Sequence, residues 1–148
     1  MTLFFLDVNV WIALSVSGHP HNSDALNWLQ RLPDDSTLIF SRFTQLGLLR
    51  LLTNTTVMGD ETLTIREAWA VYDRWLQDPR VEFYPEPRHV DLAFRDATEP
   101  FAARAATKWV GDCWLLAYAA ACEARLVTFD QALHKFARKQ GHRAVIPG

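Results

Sequence analysis

The sequence predicts an α/β domain built on a parallel β-sheet. Short runs of apolar residues recur along the chain, and runs of this length are typical of strands buried on both faces of a sheet. Longer segments with a helical spacing of apolar residues separate these runs, as in folds where helices connect parallel strands. The 148 residues contain no internal repeat and no flexible linker, so we expect one domain spanning residues 1–148.

The first part of the chain predicts two strands that alternate with two helices. Leu3–Leu6 is an apolar run that ends at an acidic residue, which suits a buried strand. Helices are expected over Val8–Val16 and over Asn22–Leu32, where the apolar positions follow helical spacing. Thr37–Phe40 is then expected as the second strand. Strands separated by helices in this way favour parallel pairing.

Two further helices are expected in the middle of the chain. Ser41 or Thr44 can cap the first, which is rich in leucine, and a loop should follow over Asn54–Glu61. Thr64 and Glu67 have the spacing of a capping box, so the second helix should begin there. We expect the inner face of this helix to be an apolar stripe that packs in the core rather than binding a partner: Ile65, Ala68, Trp69, Tyr72 and Leu76.

The C-terminal part predicts three more strands and four helices. The strands are expected at Val81–Tyr84, Arg125–Thr128 and Ala144–Ile146. The helices are expected near His89–Ala97 and Glu99–Thr107, and at segments that begin at Gly111 and Asp130.

Composition limits the class of protein. The formal net charge is −2, whereas nucleic-acid binders usually carry a basic surplus, so any RNA site must depend on a local basic patch or on a metal ion.

No apolar run reaches the ~20 residues that cross a bilayer, and the N-terminus lacks a basic leader. Cys113 and Cys122 fall in one helical segment, too far apart for a disulfide. We therefore expect a cytoplasmic protein with reduced thiols and no membrane contact.

Three acidic residues have positions that suggest chemistry. Asp7 directly follows the first strand, Asp130 follows the fourth, and Asp112 opens a helix after a glycine. Because the carboxyl ends of parallel strands meet at one edge of a sheet, these side chains should converge. Clustered carboxylates repel one another unless a cation neutralises them, and oxygen ligands alone suit Mg²⁺ or Mn²⁺. Each acid could instead serve as a helix cap or helix-opening residue, but together they favour a metal site.

Four blocks of the sequence, taken together, resemble PIN domains, and in particular toxins of the VapC type. The blocks are Leu6–Ile12, with its Asp-x-Asn motif, Thr44–Asn54, Gly111–Ala119 and Leu126–Asp130. The resemblance implies a three-layer fold in which helices flank a parallel sheet of four to five strands, in the order 3-2-1-4-5. It also implies an endoribonuclease that uses Mg²⁺ or Mn²⁺ to cleave RNA phosphodiester bonds.

The resemblance also implies roles for individual residues. Asp7, Asp112 and Asp130 would hold one or two metal ions, and Asn9 and Thr128 would orient an acid or a water. The alternative for Asn9 and Thr128 is local turn and cap bonding. Most PIN domains carry an additional acid, usually Glu, at the start of the central helix; the equivalent position here is expected to be Gln45, which brings no charge.

Partners are implied in the same way. Among the basic residues, Arg42, Arg50 and Lys108 are candidates for holding the RNA backbone. The resemblance implies an RNA substrate of the tRNA or rRNA class, a small VapB-type antitoxin protein that inhibits the enzyme, and a homodimer. An apolar groove at Trp11 and Trp28 would suit an antitoxin helix, and the alternative is that both side chains pack in the core.

Two other functions compete with the ribonuclease. The missing central acid motivates a catalytically weak or inactive PIN-like module that binds RNA or protein. A phosphatase of the haloacid-dehalogenase type also begins with a strand and an aspartate, but Asn9 stands where that class has a second Asp. The five histidines meet no zinc spacing.

Overall fold

A five-stranded parallel sheet forms the centre of the molecule. The computed structural model describes residues 1–148, and the strands lie in the order β3-β2-β1-β4-β5. This confirms the predicted α/β class and the 3-2-1-4-5 order. The strands are β1 (Thr2–Leu6), β2 (Ser36–Phe40), β3 (Val81–Phe83), β4 (Arg125–Val127) and β5 (Ala144–Val145).

Eight α-helices connect and cover the strands. None of them combines the length and the hydropathy that a bilayer-spanning segment needs. Short 3-10 turns occur at Gly59–Glu61 and Glu99–Phe101. The helices are α1 (Val8–Ser15), α2 (Asn22–Gln30), α3 (Arg42–Leu52), α4 (Thr55–Met58), α5 (Ile65–Gln77), α6 (Val90–Thr98), α7 (Thr107–Ala121) and α8 (Gln131–Lys139).

The core lies in two layers, one on each face of the sheet. Neighbouring residues of a strand point to opposite faces, so Phe4 and Leu6 enter one layer while Phe5 enters the other. The first layer is closed by α1, α2, α3 and α5, where the Trp11 ring stacks on Phe40 with 3.8 Å between ring centroids. The second is closed by α6, α7 and α8, and Tyr118 of α7 packs against Phe5 there. The predicted three-layer arrangement is therefore confirmed.

Capping boxes define where α3 and α5 begin; the box at Thr64 and Glu67 is the predicted one, whereas for α3 the sequence predicts only a cap at Ser41 or Thr44. Ser41 caps α3: its hydroxyl accepts a hydrogen bond from the Thr44 amide, and its own amide donates to the Thr44 hydroxyl at 2.9 Å. Thr64 and Glu67 make the equivalent pair of bonds at α5. Each box satisfies amide groups that have no partner inside the helix, which fixes both start points.

The predicted helix at Glu99–Thr107 and the predicted helix start at Gly111 are both wrong. After the turn at Glu99–Phe101 the chain is irregular up to Ala106, and α7 begins at Thr107. The alanine-rich segment is exposed, so helix propensity has no apolar packing to support it. The helix extends toward its N-terminus instead because Trp109 packs against the rings of Phe101 and Phe136.

The apolar stripe predicted for α5 is also wrong in part. Ala68 and Tyr72 are buried, but Ile65, Trp69 and Leu76 are 59%, 42% and 39% exposed. The buried face is instead centred on Ala68, Val71 and Tyr72. The loop predicted over Asn54–Glu61 contains α4 and a 3-10 turn.

The predicted antitoxin groove at Trp11 and Trp28 is not present. The Trp11 side chain is fully buried between Phe40 and Trp75, and Trp28 packs edge-on against Phe4. Core packing, the alternative for both tryptophans, is therefore what the structure shows. Cys113 and Cys122 are free, with Cys113 buried.

Candidate active site

The site forms where β1 and β4 end side by side. Leu6 is paired with Val127 in the parallel register, and the Asp7 amide donates to the Val127 carbonyl at 2.8 Å. The chain segments that follow the two strands therefore leave the sheet at the same edge. Asp7 lies on one of them, and Thr128 and Asp130 lie on the other.

The Asp7 carboxylate is fixed by two hydrogen bonds, one to each oxygen. Oδ1 accepts the Val8 amide at 2.7 Å, which caps α1, and Oδ2 accepts the Thr128 hydroxyl at 2.8 Å. Burial raises the pKa of this carboxyl, the two hydrogen bonds oppose that rise, and the charge of Asp130 adds to it. Asp7 is thus both the helix cap foreseen as an alternative and a member of the acidic group.

The Thr128 hydroxyl connects the two strand ends. It is fully buried, donates to Asp7, and accepts the Asp130 amide at 3.1 Å and the Asn9 amide nitrogen at 3.3 Å. The Asn9 side-chain oxygen accepts the Phe129 amide at 3.1 Å. These bonds hold the loop after β4 against the first turn of α1. They also fix the orientation of the Asp7 carboxylate.

Asp130 caps the helix that follows β4. One of its carboxylate oxygens accepts the Leu133 amide at 3.0 Å, as an N-cap residue does. This hydrogen bond leaves its second oxygen without a protein donor. Asp130 is therefore anchored by one oxygen and can offer the other to a ligand.

Asp112 differs from the other two acids because no protein group fixes its carboxylate. It lies within the second turn of α7, half-buried, and takes part in no hydrogen bond or ion pair. Burial raises its pKa to about 6, and the charges of Asp130 and then Asp7 add to the rise. Each pair among the three acids therefore interacts through charge at this sheet edge, which we call the acidic rim (Asp7, Asp112 and Asp130).

The acidic rim is not a closed metal cage. No three histidine, cysteine, aspartate or glutamate side chains lie close enough together to chelate an ion without other ligands. All three ion pairs of the molecule lie elsewhere, so no lysine or arginine neutralises the rim. Carboxylates that no protein cation neutralises can still bind a hard cation that keeps part of its water shell, as Mg²⁺ usually does.

Gln45 is not joined to the rim. Its side chain is 7% exposed, and its oxygen accepts a hydrogen bond from the Arg42 guanidinium at 2.6 Å. The Arg42 guanidinium also lies 4.7 Å from the centre of the Phe83 ring. No hydrogen bond links Gln45 to any of the three acids, and its role as the equivalent of the missing acid stays a prediction.

The basic residues proposed for RNA occupy different places. Arg42 is engaged with Gln45 and Phe83, and Arg50 lies in the last turn of α3, about 12 Å along the helix axis from Arg42. Lys108 is exposed and precedes Asp112 by four residues on α7, so both lie on one face of that helix. Of the three cations, Lys108 is the one that α7 itself places beside an acid of the rim.

Sequence reasoning missed the close packing of α3 on α1. A Cβ atom added at Gly47 would lie 2.6 Å from a methyl carbon of Val8, the residue after Asp7. Only glycine allows the two helices to approach this closely. A glycine inside an otherwise regular helix was the available signal, because it costs about 1 kcal/mol relative to alanine and needs a packing reason.

A family model and two curated relatives match most of the chain. The model for the PIN domain matches residues 4–139. Ribonuclease VapC41 of Mycobacterium tuberculosis is 38% identical over 141 residues, which cover 90% of this chain and 93% of that protein. Ribonuclease VapC39 of the same organism is 34% identical over 128 residues, with 86% and 88% covered.

Solved structures share the fold at lower identity. VapBC2 from Rickettsia felis, in a crystal with a promoter DNA fragment, superposes with a TM-score of 0.70 at 17% identity, covering 99% of this chain and 100% of that one. VapC20 of Mycobacterium tuberculosis, a toxin that cleaves the sarcin-ricin loop, gives 0.67 at 16% identity, with 97% and 99% covered. From the family match and the identity to VapC41, the chain belongs to the PIN-domain family, among the VapC-type toxin ribonucleases.

Proposed function

We propose that this protein is an endoribonuclease toxin that hydrolyses RNA phosphodiester bonds with Mg²⁺ or Mn²⁺ held at the acidic rim. The observation that carries the proposal is the meeting of Asp7, Asp112 and Asp130 at one sheet edge with no protein cation to neutralise them. Such an arrangement costs stability in the free protein, and a bound divalent ion removes that cost. The relationship to proteins named ribonucleases supports the same activity.

Each of the three acids would contribute a carboxylate ligand to the ion. A bound divalent ion supplies an activated water and offsets the charge that develops on the phosphate. Asp7 offers an oriented carboxylate, and Asp130 offers the oxygen that does not cap α8. Asp112 has no competing partner and can adjust to the ion. Its raised pKa, about 6, still leaves it mostly ionised at neutral pH.

Other residues of the site position these groups or the substrate. Thr128 and Asn9 are positioning residues, because they hold the Asp7 carboxylate and the loop that carries Asp130. We assign Lys108 to the RNA backbone near the rim, since it lies on the Asp112 face of α7. Arg50 would contact the RNA backbone at a greater distance from the rim. Arg42 would first have to break its hydrogen bond with Gln45 before it could contact RNA.

We also propose the partners that VapC-type proteins suggest: an RNA of the tRNA or rRNA class, a small antitoxin that inhibits the enzyme, and a second copy of the chain. VapC20 is described as cleaving the sarcin-ricin loop, and VapBC2 was crystallised as a toxin–antitoxin complex on DNA. Expression of this chain in bacteria should inhibit their growth, and co-expression of the small antitoxin should relieve that inhibition. Light scattering on the purified chain tests the dimer.

A cleavage assay tests the catalytic assignment. Purified protein should cut structured tRNA and rRNA fragments in Mn²⁺ or Mg²⁺, and Asp7→Asn and Asp112→Asn should each lower the rate about 100-fold or more, because each removes a charged ligand. Asp73→Asn, an exposed acid on α5, is the matched control and should keep full activity. Equal cleavage by the parent and the two rim variants would refute the assigned roles.

The second candidate is a PIN-like module that binds RNA or protein without cutting. The observation that favours it is Gln45, which brings no charge and whose side-chain oxygen is already bound by Arg42. Calorimetric titration with Mn²⁺ separates the two functions. Binding that is lost in Asp112→Asn supports the enzyme, whereas no binding at millimolar Mn²⁺ supports the module.

A further inference from the structure

A cavity of about 310 Å³ lies against the first two turns of α7, the helix that also carries Asp112 of the acidic rim. Its walls come from the end of α6, the turn Glu99–Phe101, the irregular segment at 102–106 and the first two turns of α7. The volume falls at the lower end of the range for small-ligand pockets, roughly 300–1,000 Å³.

The lining of the cavity combines flat aromatic rings with apolar side chains, one cation, Arg104, and one acid, Glu99. The Phe101 and Trp109 rings stack with 5.1 Å between centroids, and Val110 and Cys113 add apolar surface. The Arg104 guanidinium lies 4.9 Å from the centre of the Phe101 ring and makes no ion pair. The Cys113 thiol is already used as a donor to the Ala97 carbonyl, so it is a wall of the cavity rather than a reactive group.

The position of the cavity relative to Asp112 follows from helix geometry. Trp109 precedes Asp112 by three residues, so the two side chains leave neighbouring parts of α7 about 4.5 Å apart along its axis. Cys113 is the next residue along the chain. The cavity and Asp112 therefore lie on the same two turns of α7, although Asp112 does not itself line the cavity.

We propose that this cavity binds one nucleobase of the RNA, next to the phosphate at the acidic rim; the proposal rests on the proposed ribonuclease function. Aromatic rings and guanidinium planes are the surfaces on which single-stranded bases stack. Arg104 and Lys108 carry charge that complements the flanking phosphates, and neither is neutralised by an acid. The cavity thus gives an acidic protein a local means of holding RNA.

Two neighbouring alanines allow the cavity to be filled without removing a core contact. Ala102 and Ala103 are both exposed, but Ala102 lines the cavity and Ala103 does not. Ala102→Leu blocks the space, and Ala103→Leu adds the same side chain outside it. Trp109→Leu removes the stacking ring as an independent variant.

The experiment measures binding of uncleavable RNA by the whole protein. The probes are short 2′-O-methyl oligoadenylate, oligouridylate and an abasic chain of the same length, and the readout is the ratio of abasic to oligonucleotide Kd. Base–aromatic stacking is worth ~1–3 kcal/mol per base, so Ala102→Leu and Trp109→Leu should each reduce this ratio by roughly 5-fold to 100-fold. Ala103→Leu should leave the ratio unchanged.

The outcomes separate this proposal from the proposed function. An unchanged ratio in both cavity variants, or a parent protein that does not distinguish bases from the abasic chain, overturns the nucleobase site. Binding needs no cleavage, so a protein that shows the expected ratios but cuts no RNA would keep the base site and refute the ribonuclease assignment. A protein that cuts RNA but whose cavity variants leave the ratio of Kd values unchanged would keep the ribonuclease assignment and refute the base site.

Discussion

The junction of β1 with β4 and the first half of α7 contribute to the same acidic rim in different ways. At the junction, Asp7 and Thr128 are fixed by short hydrogen bonds that begin with the sheet register itself. On α7, Asp112 has no hydrogen bond, and the helix start depends on ring packing around Trp109. One side of the rim is therefore preorganised, and the other is free to adapt to an ion or a substrate.

The largest effect should come from supplying the ion that both sides are proposed to share. Mn²⁺ at about 100 times its Kd should stabilise the folded protein by about 2.7 kcal/mol. For a domain of this size that raises Tm by roughly 8 °C. Calorimetry with and without chelator checks it, and Asp73→Asn should respond as the parent does. A gain that survives in Asp112→Asn would place the ion elsewhere.

The next effect tests whether the junction is preorganised by Thr128. Thr128→Val keeps the shape but leaves the Asp130 amide and the Asn9 amide group without their acceptor. We expect RNA cleavage to fall about 10-fold to 100-fold, as for other residues that orient metal ligands. We also expect a loss of roughly 1–3 kcal/mol in the free energy of unfolding, measured with urea.

Thr128→Ser is the control for that prediction. It keeps the hydroxyl and loses one methyl group, so most of the activity should return. A Ser variant as inactive as the Val variant would show that Thr128 matters for packing and not for its hydrogen bonds.

A smaller effect concerns how closely α3 approaches the junction. Gly47→Ala places a Cβ atom 2.6 Å from Val8, so we expect the free energy of unfolding to fall by about 1–2 kcal/mol after the gain in helix propensity. Val8→Ala in the same chain should restore most of that loss. Gly111→Ala is the matched control, because its Cβ atom would meet only Phe43 at an ordinary 3.8 Å. Equal stability changes at the two glycines would contradict the close contact.

The residue pattern alone predicted that Asp7 and Asp130 lie at one edge of the sheet, whereas the strand order was implied only by the resemblance to PIN domains. Short apolar runs mark buried strands, and parallel strands bring their ends to one edge, so the topology alone joins these two acids. The structure confirms the fold and places the two strand ends side by side. The catalytic roles of the rim residues stay a prediction.

Features that depend on packing between distant elements could not be predicted. Apolar residues lie on more than one side of α5. The spacing of apolar residues could therefore not decide whether Trp69 or Val71 is the buried position. The start of α7 depends on Phe101 and Phe136, which no local rule connects to Trp109. The direction of Gln45 depends on Arg42 and on the neighbouring helix α5.

The smallest effect tests the adaptable side of the rim in the absence of metal. The pKa of Asp112 is raised from 3.8 to about 6, so between these values the folded protein binds more protons than the unfolded chain. Stability from this group is therefore fully present below about pH 4 and lost as pH rises through about 6. Asp112→Asn removes the charge, so in chelator its Tm should match the parent near pH 4 and exceed it near pH 7.

The size of that gain is limited by solvent. Asp112 is only half-buried, so screening by solvent limits the gain in the free energy of unfolding of Asp112→Asn near pH 7 to about 1 kcal/mol. A gain of this size raises the Tm of the variant by roughly 3 °C above that of the parent. Asp7, whose pKa is also raised, is present in both proteins, so the difference between them reports Asp112 and its interactions with the neighbouring acids. A Tm difference that does not change with pH would mean that Asp112 feels no charge from the junction. The two sides of the rim would then not form one site.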